Sequence, residues 1–178
     1  MQLIDPRHCA LVVVDIQSRL MPVIHNADTV IRNTQRLLQA SRLLDIPRLF
    51  TEHNAKGLGR TDERLDLQPD EPVLEKMTFD ACRALGADMA IPTAKQLIVT
   101  GCEAHVCVLQ TVFGLVEAGK QVFVTSDAIG SRTAENRDAA LRRMAANGVE
   151  IVSTEMVLFE WLGSADHPRF RDVLRLIK

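Results

Sequence analysis

The chain turns from an apolar strand into a helix within Ile98-Val-Thr-Gly-Cys-Glu-Ala-His-Val-Cys-Val108. The strand breaks at Gly101, and the helix begins a few residues later. Cys107 falls in the first turn of that helix, where the positive end of the backbone dipole favours a thiolate over a thiol. This position suits a nucleophile, and the rest of the chain must supply its partners.

Strands and helices alternate along the whole chain. Short apolar runs rich in β-branched residues predict strands, and apolar residues at helical spacing predict helices. The predicted strands are residues 10–15, 47–51, 73–76, 96–100, 121–126 and 150–153, and the predicted helices are residues 28–44, 81–89, 104–118, 133–146, 155–162 and 167–177. This alternation predicts an α/β fold: a doubly wound, mostly parallel six-stranded sheet of order 3-2-1-4-5-6, with helices on both faces. With 178 residues and no repeat or linker, the chain is expected to form a single domain over residues 1–178.

The composition is that of an ordinary globular protein, with 47% hydrophobic and 25% charged residues. The net charge of -2, with both signs scattered, argues against a nucleic-acid partner, which needs a basic stripe. No apolar run approaches the roughly 18 residues of a membrane span, and no signal-peptide pattern precedes the first strand. We therefore expect no nucleic acid, no membrane and a cytoplasmic location, with organelle import left open. No Gly-x-Gly-x-x-Gly turn or P-loop is present, which argues against a nucleotide cofactor.

The four cysteines are Cys9, Cys82, Cys102 and Cys107. A chain of this size with a good core does not need disulfides, so reduced thiols are predicted. Cys9 and Cys82 are interpreted as packing residues, because buried free cysteine behaves as a small hydrophobe.

Three chemically reactive side chains follow predicted strands. Asp15 ends the first strand and Cys107 follows the fourth, and these strands are neighbours where the order reverses and ligands bind. Lys76 ends the third strand and could reach the same crevice. There Asp15 could accept the thiol proton, and Lys76 could stabilise negative charge. Backbone N–H groups of Glu103 and Cys107 could form an oxyanion hole. Taken singly, Asp15 is also typical of a turn or cap residue, Lys76 of a solvated surface side chain and Cys107 of core packing.

Several motifs together resemble the isochorismatase-like cysteine hydrolase superfamily, and most closely its branch of isochorismatase domain-containing proteins. The superfamily pieces are LVVVDIQ at residues 11–17, EKMTF at 75–79, GCEAHVCV at 101–108 with Thr111, and SDA at 126–128. The branch is matched by TEHNAKGLG at residues 51–59, the form of the cysteine motif, and GSADHPRF at 163–170. The resemblance covers nearly the whole chain.

The resemblance implies a catalytic triad and a reaction. Asp15 matches the general base, Lys76 the lysine and Cys107 the nucleophile. A cis peptide is implied between Cys102 and Glu103, where it would turn the Glu103 N–H into the pocket. The implied reaction is hydrolysis of an amide or carbamoyl C–N bond in a small molecule, through a covalent cysteine intermediate.

Two departures from relatives narrow this expectation. Nicotinamidases bind a divalent metal through an Asp and several His after the second strand, whereas this chain has His53 there without the others. We therefore expect no metal and no cofactor. Isochorismatases lack a cysteine at the nucleophile position, so Cys107 argues for covalent acyl chemistry and against vinyl-ether hydrolysis. His105 lies too close in sequence to Cys107 to face it on a helix.

The remaining expectations concern the pocket and assembly. Candidate pocket residues are Gln17, Leu20, His53 and Phe79. Family members are commonly oligomeric, so a homo-oligomer, a dimer or larger, is expected. The apolar tail residues are expected either to pack on the sheet or to form an oligomer contact; they are Phe159, Trp161, Leu162 and Phe170.

Two alternatives to the hydrolase stay open. One is a non-catalytic binding or scaffold protein that keeps the pocket. The other is a redox-responsive thiol protein, which is motivated by the short separation of Cys102 and Cys107.

Overall fold

The computed structural model describes residues 2–85 and 94–178, and a parallel sheet forms its centre. The strands are β1 (Cys9–Val14), β2 (Arg48–His53), β3 (Val73–Lys76), β4 (Gln96–Cys102), β5 (Gln121–Gly130) and β6 (Glu150–Val152). They pair in the order β3-β2-β1-β4-β5-β6, and every pairing is parallel. The predicted fold class and strand order are confirmed.

Helices cover both faces of this sheet. They are α1 (Ala27–Leu43), α2 (Ala55–Leu58), α3 (Ala81–Leu85), α4 (Leu109–Glu117), α5 (Ala134–Ala146), α6 (Thr154–Leu162) and α7 (Phe170–Ile177), with a π-helix at Ala104–Val108 and 3-10 turns at Met21–Val23 and Glu63–Leu65. Residues 52–72, between the second and third predicted strands, contain the end of β2, α2 and one 3-10 turn. Of the helix predicted over 81–89, the part after residue 85 lies outside the described residues. Within the described ranges, no helix is long and apolar enough to cross a membrane.

The two central strands are buried on both faces, which explains their continuous apolar sequence. Every residue of β1 and β4 is buried. Leu11 and Val13 of β1 pack into one core layer with α1 and α6. Val12 and Val14 face the opposite layer, with α4 and α5. The alternation of a strand's side chains between faces therefore builds one core on each side of the sheet.

Gly101 allows the two central strands to approach closely beside the candidate site. Gly101 pairs with Val14 and has a φ of +124°. A Cβ atom at this position would lie 2.0 Å from the Val14 carbonyl oxygen. Only glycine tolerates both the backbone conformation and the space, and Asp15 follows immediately after the contact.

Candidate active site

A buried ion pair joins the ends of β1 and β3. Asp15 Oδ2 accepts a hydrogen bond from Lys76 Nζ at 2.7 Å, and the two side chains are 1% and 0% exposed. Asp15 Oδ1 accepts a second hydrogen bond, from the Thr51 hydroxyl at 2.5 Å. The Asp15 backbone has a φ of 49° and donates its N–H to the Thr51 carbonyl. These contacts fix the carboxylate at the carboxyl edge of the sheet.

Lys76 is held from three sides. In addition to Asp15, its ammonium donates to the carbonyls of Thr78 and Phe79, each at 3.3 Å. The chain after β3 therefore folds back over the lysine and excludes water from it. A solvated surface lysine, the ordinary alternative for a lone lysine after a strand, is ruled out by this burial.

Cys107 joins this pair on the π-helix that follows β4. The residue is 6% exposed, and its thiol lies close enough to both the Asp15 carboxylate and the Lys76 ammonium to be influenced by their charges. Burial, reinforced by the Asp15 charge, raises the pKa of the Cys107 thiol to about 12, and Lys76 offsets only part of the rise. The expectation that the helix start favours a thiolate is therefore wrong for the resting site, because desolvation outweighs the dipole. The thiol is protonated at rest and has a carboxylate beside it.

The segment between β4 and the nucleophile presents a backbone amide. The peptide bond between Cys102 and Glu103 is cis, as the resemblance implied. The Glu103 carbonyl accepts hydrogen bonds from the amides of Val106 at 3.0 Å and Val108 at 3.2 Å, which close the wide π turn that contains Cys107. Within the described residues, the Glu103 N–H has no hydrogen-bond acceptor. It is therefore available to an anionic oxygen.

The Glu103 side chain is anchored to Arg132, a residue that the sequence analysis missed. Arg132 donates its main-chain N–H, Nε and Nη2 to the carboxylate at 2.9, 3.1 and 2.7 Å. Burial acts to raise the pKa of Glu103, but these hydrogen bonds outweigh it and the pKa is lowered. Next to this contact, His105 Nδ1 lies 3.0 Å from Ser131 Oγ, which engages the imidazole away from the thiol. No local motif marks Arg132, because 29 residues separate the partners.

Two of the candidate pocket residues have structural roles. Gln17 is fully buried and donates its amide to the carbonyls of His53 at 3.1 Å and Gly59 at 2.6 Å. Its oxygen accepts the His53 N–H at 2.8 Å. Leu20 is 8% exposed and packs in the core. Gln17 therefore ties the loop after β2 to the loop after β1, and its amide is not left for a ligand.

The other two pocket candidates lie together near the lysine. His53 pairs with Lys76 across β2 and β3, and its ring lies 5.2 Å from that of Phe79, centroid to centroid. Phe79 is 47% exposed. The Nδ1 atom of His53 is buried and has no hydrogen-bond partner within the described part of the chain. His53 and Phe79 remain candidates for contact with a small molecule.

A cavity of about 410 Å³ opens at the carboxyl ends of β2 and β3, in the range of small-molecule sites. It is lined by Asn54, Ala55, Lys56, Glu75, Lys76 and Met77. Among the described residues, no group of three or more His, Cys, Asp or Glu side chains could hold a metal ion. The absence of a metal stays a prediction.

All four cysteines are free; Cys82 is half-buried, and the other three are buried. Cys102 is fully buried with its sulfur 3.9 Å from Met21 Sδ, and burial raises its pKa. Burial also raises the pKa of Cys9, to about 12. These surroundings suit inert packing cysteines, and the redox alternative stays an untested hypothesis.

The four apolar tail residues, on α6 and α7, were expected either to pack on the sheet or to form an oligomer contact. Trp161 and Leu162 are buried in the core, and Phe170 packs against it. Phe159 is 41% exposed. The tail therefore packs mainly on the sheet and leaves one aromatic ring at the surface.

Comparison with known proteins identifies the family. The model of the isochorismatase domain matches residues 9–156. Isochorismatase domain-containing protein 1 of Danio rerio is 36% identical over 166 residues, which cover 92% of this chain and 59% of that protein. The chain thus spans less than two thirds of that relative's length.

Solved structures agree with this assignment. The MAR1 ribonuclease of Caenorhabditis elegans is 35% identical with a TM-score of 0.94, over 99% of this chain and 92% of that chain. YcaC from Pseudomonas aeruginosa, solved with hexane-2,5-diol and covalent acrylamide, is 26% identical with a TM-score of 0.88, over 98% and 91%. The family model, the relative and the fold therefore lead to one conclusion: the chain belongs to the isochorismatase domain family.

Proposed function

We propose that the protein is a metal-independent cysteine hydrolase that cleaves an amide or carbamoyl C–N bond of a small molecule. One observation carries this proposal. A buried thiol contacts a carboxylate that is itself paired with a fully buried ammonium, through Cys107, Asp15 and Lys76. Such a group of a nucleophile, a base and an orienting partner is the arrangement that covalent catalysis requires.

The first half of the reaction acylates the cysteine. Asp15 takes the thiol proton as the Cys107 sulfur attacks the carbonyl carbon, because the raised pKa of the thiol leaves little free thiolate at neutral pH. The carbonyl oxygen becomes an oxyanion, which the Glu103 and Cys107 N–H groups stabilise. Lys76 stabilises the added negative charge. Asp15 then gives its proton to the leaving nitrogen, the C–N bond breaks and a thioester remains.

The second half releases the acid. Asp15 accepts a proton from water, and the water oxygen attacks the thioester carbon. The same N–H groups hold the second oxyanion. The C–S bond then breaks, the cysteine sulfur recovers a proton from Asp15, and the acid departs. Water exclusion around Lys76 strengthens these electrostatic interactions throughout.

RNA hydrolysis is the activity that the name of the C. elegans relative suggests for testing. A phosphodiester substrate would need an accessible cation. Lys76, the cation next to the proposed nucleophile, is 0% exposed and already paired with Asp15. The geometry therefore favours a neutral carbonyl substrate over a phosphodiester.

The partners follow from the same surface. We propose a small-molecule substrate that contacts His53 and Phe79 beside Lys76. We also propose a homo-oligomer, a dimer or larger, because Met77 and Phe79 next to the site are 73% and 47% exposed. A single species of 19.8 kDa in light scattering would contradict the oligomer. A cytoplasmic location stays a prediction.

The proposal is tested by trapping the covalent intermediate. The wild type, Cys107→Ala and the matched control Cys82→Ala are mixed with p-nitrophenyl acetate and a panel of small amides and carbamoyl compounds. We expect a nitrophenolate burst and an acyl adduct on Cys107 by mass spectrometry in the wild type and in Cys82→Ala, but not in Cys107→Ala. The covalent acrylamide in the P. aeruginosa relative supports the use of such electrophiles.

The outcomes separate the alternatives. Ligand-induced thermal stabilisation without any adduct or turnover would favour the binding protein. A disulfide between Cys102 and Cys107 after mild peroxide would favour the redox protein. Degradation of RNA that persists in Cys107→Ala would also overturn the proposal.

A further inference from the structure

The exposed Arg132 side chain binds the buried carboxylate of Glu103 at the edge of the site, and the proposed mechanism does not use this contact. The Glu103 side chain is 6% exposed and that of Arg132 is 61% exposed. Three hydrogen bonds join them, two from the guanidinium and one from the Arg132 main chain. A forked contact of this kind fixes the orientation of the carboxylate as well as its position.

The contact joins two segments that are remote in sequence. Glu103 lies between β4 and the π-helix, whereas Arg132 lies between the end of β5 at Gly130 and Thr133, which caps α5. Cys102 and Gly130 are paired across β4 and β5. The ion pair therefore links the two segments just beyond the last paired residues of β4 and β5.

Glu103 is consequently held at both of its ends. Its carboxylate is bound by Arg132, and its carbonyl accepts the amides of Val106 and Val108. Its N–H belongs to the same residue as these two anchors and has no acceptor within the described residues. A residue that is restrained at its side chain and at its carbonyl is pre-organised to offer an unpaired N–H to a developing negative charge.

We propose that Arg132 is a positioning residue for the oxyanion hole, acting through the Glu103 carboxylate to fix the Glu103 N–H. This inference rests on the proposed hydrolase function and deepens it. Arg132 does not touch the nucleophile, and its charge is not among the main influences on the pKa of Cys107, which come from burial, Asp15 and Lys76. Loss of Arg132 should therefore impair the stabilisation of an oxyanion and leave the nucleophilicity of the thiol unchanged.

Two reagents separate these effects without knowledge of the substrate. With p-nitrophenyl acetate, the Cys107 sulfur bonds to the carbonyl carbon, an oxyanion forms, and collapse expels nitrophenolate. With methyl methanethiosulfonate, the same sulfur bonds to a sulfur atom and displaces methanesulfinate, and no carbonyl oxyanion forms. In both reactions the thiol proton leaves to Asp15 or water. The ratio of the two rates therefore reports the oxyanion hole alone.

The ratio is measured for the wild type, Arg132→Met, Arg132→Lys and Arg137→Met. Arg137 is a matched control, because its guanidinium pairs only with the adjacent Asp138 on α5 among the described residues. We expect Arg132→Met to lower the acylation-to-thiolation ratio about tenfold or more, since small misplacement of a catalytic group costs up to about 100-fold. Arg132→Lys should recover part of the loss, and Arg137→Met should match the wild type.

The outcomes distinguish this inference from the proposed function. An unchanged ratio in Arg132→Met, with wild-type acylation of Cys107 intact, would overturn the positioning role and leave the hydrolase standing. Absence of Cys107 acylation in the wild type would overturn both. If Arg132→Met does not fold, Glu103→Gln provides the second variant, because it keeps an acceptor for the Arg132 main chain but loses the charged fork. A wild-type ratio in a folded Glu103→Gln protein would equally contradict the inference.

Discussion

Replacing Lys76 with methionine removes an ammonium from a fully buried ion pair and keeps most of the side chain's volume. Lys76 Nζ lies 2.7 Å from Asp15 Oδ2, and neither side chain is more than 1% exposed. At an effective dielectric constant of about 20, two unit charges at this separation attract by roughly 6 kcal/mol, which offsets the cost of their desolvation. Loss of one partner leaves the Asp15 charge buried and unpaired.

We expect Lys76→Met to lower the free energy of unfolding by about 3–5 kcal/mol, the usual cost of breaking a buried pair from one side. For a chain of this size the midpoint of thermal unfolding should fall by about 6–20 °C. Urea unfolding at pH 7 measures the change through the fluorescence of Trp161, the single tryptophan, which is 1% exposed.

The control is the neutral pair Asp15→Asn with Lys76→Met. An asparagine can still accept the Thr51 hydroxyl, and no charge is left unpaired. The double variant should be more stable than the sum of the single changes predicts, by about 2 kcal/mol or more. The reasoning fails if Lys76→Met unfolds within about 1 kcal/mol of the wild type, or if the two changes are additive.

Further predictions concern the thiol and three structural positions. Asp15→Asn should lower the pKa of Cys107, because the Asp15 charge raises it. The midpoint pH of thiol modification should therefore fall while hydrolysis is lost, and an unchanged or higher midpoint would contradict this. Glu71→Gln should destabilise the protein by about 2 kcal/mol at pH 7, because burial acts to raise the pKa of Glu71 but its hydrogen bonds with two arginines and a backbone amide lower it. A depressed folded pKa contributes stability above the ordinary carboxyl range and loses it as pH falls, so unfolding curves of Glu71→Gln and the wild type should converge in acid; a constant difference would refute the linkage. Gly101→Ala should cost about 4 kcal/mol or abolish folding, since its Cβ meets the neighbouring strand's backbone, and a soluble protein of wild-type stability would argue against that contact. Gln17→Met should lower the free energy of unfolding by about 2–4 kcal/mol, because three backbone groups lose their hydrogen-bond partner. Limited proteolysis of residues 53–59 should become faster in this variant, and an unchanged rate would show that other contacts hold the loop.

The fold was predictable because its signals are local. Each buried strand is a short apolar run, and each helix shows its own spacing, so the strand-helix alternation defines a parallel sheet before any contact is known. The ends of elements were less predictable. The fifth strand continues to Gly130 beyond the predicted end at residue 126, because its pairing with β4 is interrupted at residues 125–128 and resumes at Ile129 and Gly130.

The candidate site was predictable in its members but not in its electrostatics. Asp15, Lys76 and Cys107 were found from strand ends and motifs, and the structure brings their side chains together. The expected direction of the Cys107 pKa was wrong. A helix dipole is readable from local sequence, whereas desolvation and a facing carboxylate depend on what the fold packs around the sulfur.

The sequence by itself determined the order of the strands, the family and the identity of the reactive side chains. Tertiary structure alone decided that the Lys76 side chain is buried, that Gln17 holds a loop by hydrogen bonds and that Arg132 binds the Glu103 carboxylate. These contacts join residues that are 61, 36 to 42, and 29 positions apart. Periodicity reports which face of an element is apolar, but burial, charge pairing and hydrogen-bond partners arise only when distant segments meet in a region from which water is excluded.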